Sequence, residues 1–112
     1  GVDLKGVASF HGSLATSHPA KPGVVKARIL VCHGADDSFI APDHITAFKK
    51  EMKEAGASMK FIAYQGAVHS FTNPEADAIA KKSGLPIAYH AKADQASWRD
   101  LSAFLENILS NK

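Results

Sequence analysis

The chain has 112 residues, of which 46% are hydrophobic and 21% charged, and a formal net charge of +2. These values sit near globular averages, which excludes a disordered or collagen-like chain, and the charge is too mild to call for a nucleic-acid partner. No apolar run approaches the roughly 20 residues that span a bilayer, and one cysteine, Cys32, allows no internal disulfide framework.

The chain opens Gly1-Val2-Asp3-Leu4-Lys5, with neither an initiator Met nor a signal-peptide pattern, as an excised piece would. The compartment is left unknown, with the cytoplasm as the default. Val7 to Phe10 is a short apolar run that stops at His11-Gly12, a buried strand followed by a turn. Ser13 to Lys26, rich in Ser, Pro, Gly and Ala, reads as a loop. Ala27 to Cys32 is the strongest strand: continuous, β-branched and closed by His33-Gly34. Such a run without alternation suits a parallel sheet covered on both faces, and places Cys32 in the core as an inert thiol.

After the loop Ala35 to Ala41, Pro42 suits the first turn of a helix, where its missing N–H is not needed. That helix runs to about Ala55 with Ile45, Phe48, Met52 and Ala55 on one face, and Gly56 stops it. Met59 to Tyr64 is a third strand, so strand, helix and strand imply a right-handed crossover and parallel pairing. Ala67 to Pro74 is a loop holding His69, and Glu75 to Lys82 a short helix broken at Gly84 and Pro86. From about Tyr89 to Leu109 a long helix sets Trp98, Leu101, Leu105 and Ile108 on one stripe. There is no internal repeat, low-complexity tract or domain linker.

The fold expected is therefore α/β, a three-layer arrangement of about three parallel strands with flanking helices. Three strands leave both outer edges open, so residues 1–112 read as part of a larger sheet, and the edge at Val7 invites pairing with a second copy. In open parallel sheets ligands bind beyond the carboxyl ends of the strands. Those ends carry His11-Gly12, then His33-Gly34-Ala35-Asp36-Asp37, then Gln65-Gly66-Ala67-Val68-His69. Adjacent parallel strands lie about 5 Å apart, which brings Asp37 and His69 within reach of each other. A carboxylate that accepts from imidazole Nδ1–H leaves Nε2 free to deprotonate a Ser or Cys nucleophile. Read from spacing alone, His69 serves equally as a loop histidine bonded to backbone, and Asp37 as a turn residue or helix cap.

Longer motifs narrow the choice. The run Ala27-Arg28-Ile29-Leu30-Val31-Cys32-His33-Gly34-Ala35-Asp36-Asp37, with Pro42 five residues on, resembles the dienelactone hydrolase family of α/β-hydrolases. So does Tyr64-Gln65-Gly66-Ala67-Val68-His69-Ser70-Phe71, and Ala88-Tyr89, the alanines to Ala96, Trp98 and the leucine-rich last helix look like that family's C-terminal end. The resemblance covers about Val7 to Leu109. It implies an ester or lactone hydrolase acting on a small molecule without a cofactor or metal, with Asp37 as triad acid and His69 as triad base. It also places His11, Phe39, Phe71 and Asn73 about the substrate, and leaves Asp36 and His33 in structural roles.

Two departures accompany it. The family's nucleophile sits in a Gly-x-Cys/Ser-x-Gly turn, and none of the eight glycines frames one, so the chain reads as the C-terminal portion of such a domain, inactive alone. The Arg that follows the His by four residues in the best-known members is Asn73 here, which counts against a dienelactone substrate. The rival readings are a hydrolase-derived binding domain without catalysis, and a metal-assisted hydrolase with His33, Asp36, Asp37 and His69 as ligands. A receiver-like signalling module would need an acid where the third strand ends, and that strand ends in Tyr64-Gln65-Gly66.

Overall fold

The computed structural model describes residues 3–110. Gly1 and Val2, on which the expectation of an excised start partly rests, lie outside the described residues. The element order is β1 (Gly6–Phe10), β2 (Arg28–Gly34), α1 (Pro42–Glu54), β3 (Met59–Tyr64), α2 (Ala76–Ser83) and α3 (Ala91–Ser110). The strands form one sheet in the order β1-β2-β3, with both pairings parallel. Val7 stands opposite Ile29, and Val31 opposite Phe61, so the register sets all three carboxyl ends at one edge. The expected strands and crossover are present. The main adjustment is that His33 and Gly34 belong to β2 rather than closing it, because they still pair with Ala63 and Tyr64.

Side chains alternate across a strand, and β2 serves two layers accordingly. Leu30 and Cys32 face one core with Tyr64, Phe71 and Ala93, against which Phe10, Ile62, Leu101 and Phe104 pack. Ile29 and Val31 face the other side, where Phe48 and Met52 of α1 line the same apolar groove. Of the face its sequence predicts, Met52 and Ala55 are buried and Ile45 and Phe48 half-buried, and Gly56 follows at φ 71, a conformation glycine adopts without a Cβ clash.

α3 differs from its expected stripe. Ala93, Ser97 and Ile108 are buried and Leu101 and Phe104 partly so, whereas Trp98 is 53% exposed and Leu105 is exposed as well. The helix meets the sheet through small residues at its start, where Ala93 and Ser97 are buried, and through Leu101, Phe104 and Ile108 farther on, the last two against Gly6 of β1. Trp98 is carried to the flank, where its ring lies 5.6 Å from that of Phe10. Beneath the carboxyl ends, the Tyr64 hydroxyl donates to Asp100 Oδ2 at 2.7 Å, which fastens α3 to β3. Burial and that carboxylate raise the Tyr64 pKa far above its usual value.

Candidate active site

Three loops leave the carboxyl edge of the sheet, and each carries one imidazole or carboxylate of the site. Asp37 lies in the turn after β2, where its N–H donates to the Gly34 carbonyl at 3.0 Å. Its Oδ1 accepts the backbone N–H of Phe39 at 2.9 Å, and its Oδ2 accepts Nδ1–H of His69 at 2.9 Å. The carboxylate is almost fully enclosed, while the His69 side chain keeps about a quarter of its surface, 26%. A buried carboxylate with both oxygens engaged cannot rotate, so it fixes the imidazole plane and its tautomer together. With Nδ1 donating, Nε2 carries the free lone pair.

The loop bearing His69 is held on two sides. Toward β2, Asp36 N–H donates to the Ala67 carbonyl at 2.9 Å. Toward α3, His69 and Phe71 carbonyls accept from Ala88 at 3.3 Å and His90 at 3.0 Å. His90 Nδ1 in turn accepts the N–H of Ala93, capping the first turn of α3. The approach to β2 depends on Gly34. A Cβ built there would lie 2.7 Å from the Ala67 carbonyl oxygen and 2.8 Å from that of Val68. Both are backbone atoms that cannot swing aside. Gly34→Ala is therefore expected to push the loop outward and lengthen the His69–Asp37 contact. Displacing a reacting group by about 1 Å costs on the order of 10²-fold in rate, and overpacking costs about 1–3 kcal/mol. Ester turnover of the variant in the longer, nucleophile-bearing protein and its denaturant unfolding would read the two effects separately.

The remaining expected site residues divide. Phe39 is 48% exposed with its ring centre 4.7 Å from that of His69, so it forms an open apolar wall beside the imidazole. His11 directly follows β1 and places its ring 5.7 Å from that of His69. Phe71, expected at the substrate, is instead fully buried, with its ring 4.6 Å from His11 and 5.4 Å from Tyr64. It supports the site from below, because a side chain without exposed surface cannot meet a ligand. Asn73 uses its side-chain oxygen to accept the N–H of Glu75 at 3.0 Å, an Asx turn within its own loop. Thr72, which no sequence signal marked, bonds to His11 across the site, Oγ1 to Nε2 at 2.9 Å.

The metal-assisted reading fails on geometry. Among the described residues no group of three or more His, Cys, Asp or Glu converges on a common point. His33 is buried against Phe61, with ring centres 5.6 Å apart, and Asp36 is exposed. Cys32 is no nucleophile in this position either: it is fully buried in the core, and burial raises its thiol pKa.

Burial holds both His11 and His33 below the ordinary value of 6.5. At His11 the nearby His69 adds to the effect, at His33 Lys49 and then His69 add to it, and Asp37 opposes it at each. Two histidines that stay neutral in the fold but take up protons near 6.5 when unfolded make the unfolded state the better proton binder under acid conditions. Their contribution to stability is complete above 6.5 and is lost as the pH falls through their lower folded values. Denaturant midpoints should accordingly drop between pH 7 and pH 5, and His33→Gln should reduce that drop.

Comparison with known proteins agrees with this architecture. The dienelactone hydrolase family profile matches residues 1–109. An uncharacterized protein of Caenorhabditis elegans is 32% identical over 96% of this chain, which spans 66% of the nematode protein. The carboxylesterase SOBER1 of Arabidopsis thaliana is 35% identical over 67% of the chain and 32% of its own length. A dienelactone hydrolase-like promiscuous phosphotriesterase from metagenomic libraries superposes with a TM-score of 0.80 at 30% identity, covering 94% of this chain and 43% of that one. The chain thus spans less than two thirds of the length of each of these proteins, and it belongs to the dienelactone hydrolase family.

Proposed function

We propose that the chain supplies the acid and the base of a Cys/Ser-His-Asp triad, in the C-terminal portion of an α/β-hydrolase domain that cleaves a small ester or lactone. The observation that carries this reading is the 2.9 Å bond from His69 Nδ1 to the enclosed carboxylate of Asp37, at the carboxyl edge of a parallel sheet. His69 Nε2 takes the proton from the nucleophile as its oxygen or sulfur attacks the substrate carbonyl. The same nitrogen returns that proton to the departing alkoxide, and water then releases the acyl group by the same route. Asp37 stays ionised and steadies the imidazolium formed between these steps. Phe39 lies beside the reacting nitrogen as an apolar wall for one side of the ester.

The outer edge of β1 bears on where the nucleophile comes from. Among the described residues β1 pairs on one side alone, with β2. Leu4, Val7 and Val24 are exposed beside it, in a groove of about 400 Å³ shared with Val31 and Phe48. An unpaired strand edge flanked by exposed apolar surface favours continuation of a sheet. We take it as the seam to the nucleophile-bearing half, in preference to a homodimer contact. The test is hydrolysis of a p-nitrophenyl ester by the longer protein that carries the nucleophile turn, before and after His69→Ala. Loss of turnover is expected. Turnover at the original rate in His69→Ala would remove the base from the reaction and return the chain to the reading of a binding domain.

A further inference from the structure

His11 follows β1 at φ 61, in the left-handed region that residues with a Cβ seldom occupy. Such a conformation persists where the surroundings over-determine it, and three contacts do so here. Its Nε2 meets Thr72 Oγ1 at 2.9 Å, across 61 residues of sequence. Its ring stands edge-on to Phe71, with centres 4.6 Å apart. Its other neighbour is the His69 ring at 5.7 Å. His11 Nδ1 is closed off from solvent and has no hydrogen-bond partner among the described residues.

That unpartnered nitrogen fixes the tautomer. A buried N–H without an acceptor is rarer and costlier than a buried lone pair without a donor. The proton therefore resides on Nε2, which donates to Thr72. Neither nitrogen is then left to touch a substrate: one is committed to Thr72 and the other is enclosed. His11 has a different task, and Thr72 indicates it. Thr72 follows His69 by three residues on the same loop, with Ser70 between them at φ 65 and Phe71 buried beneath. Backbone bonds hold this loop toward β2 and α3, and the Thr72 bond adds a tether on the remaining side, toward β1.

We infer that His11 is a positioning residue, which through Thr72 clamps the His69 loop to the end of β1 and so sets where Nε2 is presented to the nucleophile. The inference rests on the triad reading of Asp37 and His69. A neutral His11 suits the role, since a charged ring 5.7 Å from His69 would oppose formation of the imidazolium. The clamp also spans the sheet edge, joining the loop after β3 to β1, the strand whose free edge faces the seam.

The test uses the longer, nucleophile-bearing protein, with kcat referred to active sites counted by the acylation burst. Thr72→Val keeps the shape and removes the acceptor. It is expected to lower kcat by about 10- to 100-fold, the range that a sub-ångström to 1 Å misplacement produces, with KM changed less than about twofold. Thr72→Ser, which restores the oxygen, should return kcat to within about threefold of the parent. His11→Ala combined with Thr72→Val should be no worse than His11→Ala alone, because both remove the same tether. If Thr72→Val does not fold, His11→Asn gives the same reading, since Asn tolerates left-handed backbone and is too short to reach Thr72. An unchanged kcat in Thr72→Val, a rise in KM without a fall in kcat, or losses that multiply in the double variant would each overturn the clamp. His69→Ala is measured alongside. An inactive His69→Ala with a fully active Thr72→Val rejects the clamp alone, whereas an active His69→Ala rejects the triad and the clamp with it.

Discussion

His69→Ala in the longer, nucleophile-bearing protein is expected to lower kcat for an activated ester by about 10⁴- to 10⁶-fold, and Asp37→Asn by about 10⁴-fold. The two figures differ because the residues fail differently. Without His69 no group removes the nucleophile's proton, and the residual rate comes from binding and the oxyanion donors. In Asp37→Asn the imidazole remains, but the amide can donate to Nδ1, so the ring keeps its proton on Nε2, the nitrogen that must be free. Both Asp37 oxygens are engaged, one by His69 and one by the Phe39 N–H. An amide whose oxygen keeps the Phe39 N–H must turn its own N–H to Nδ1, and this arrangement is satisfied only in the wrong tautomer. Combining the two substitutions should cost little more than His69→Ala alone, since the carboxylate acts only through the imidazole. Steady-state kinetics of the three variants provide the check, and losses that multiply would show that Asp37 has a role independent of His69.

Much of this site was legible in the sequence because parallel sheets convert order along the chain into position in space. The run Ile29 to Cys32 could be little else than a covered strand, and the helix from Pro42 to its glycine stop made the next strand parallel to it. His11, Asp37 and His69 then had to share one edge, and they do. What the pattern could not supply was depth. Phe71 and Phe39 each lie two residues beyond a site residue and are the same residue type, yet one is fully buried and the other half exposed. That difference follows from the left-handed turn at Ser70, which directs Phe71 inward, and no periodicity encodes such a turn. The stripe on α3 was displaced for a related reason. Of the four residues that hydrophobicity marked, Leu101 and Ile108 do pack inward, but Trp98 and Leu105 are exposed and the small residues Ala93 and Ser97 take the closest approach. The His11–Thr72 bond joins residues 61 apart with no motif between them, so only the folded chain reveals it.

The 112-residue chain by itself is expected to hydrolyse activated esters no faster than free imidazole at equal histidine concentration, within about tenfold. Asp37 and His69 can polarise a hydroxyl or thiol only when one is presented to Nε2, and the candidates in this chain are badly placed for it. Cys32 is enclosed in the core with its thiol pKa raised, so little thiolate exists and none of it is accessible. Ser70 adjoins His69 at φ 65, and a side chain on the next residue of a strained turn does not face its neighbour's ring. Ser13 and Ser38 are exposed, but neither sits in a strand-to-helix turn flanked by glycine, the geometry that projects a nucleophile outward. The oxyanion donors of such a turn are likewise absent from this sequence, and each is worth about 10²–10³ in rate. An imidazole oriented by a carboxylate, with no nucleophile presented to it and no donors for a tetrahedral oxyanion, has little advantage over imidazole in solution. Adding the nucleophile-bearing half as a separate polypeptide should restore turnover if the edge of β1 is the seam, and the restored rate should saturate with its concentration. A rate thousands of times above imidazole from the 112 residues alone, abolished by changing one of these serines to Ala, would instead show that the chain holds a complete triad.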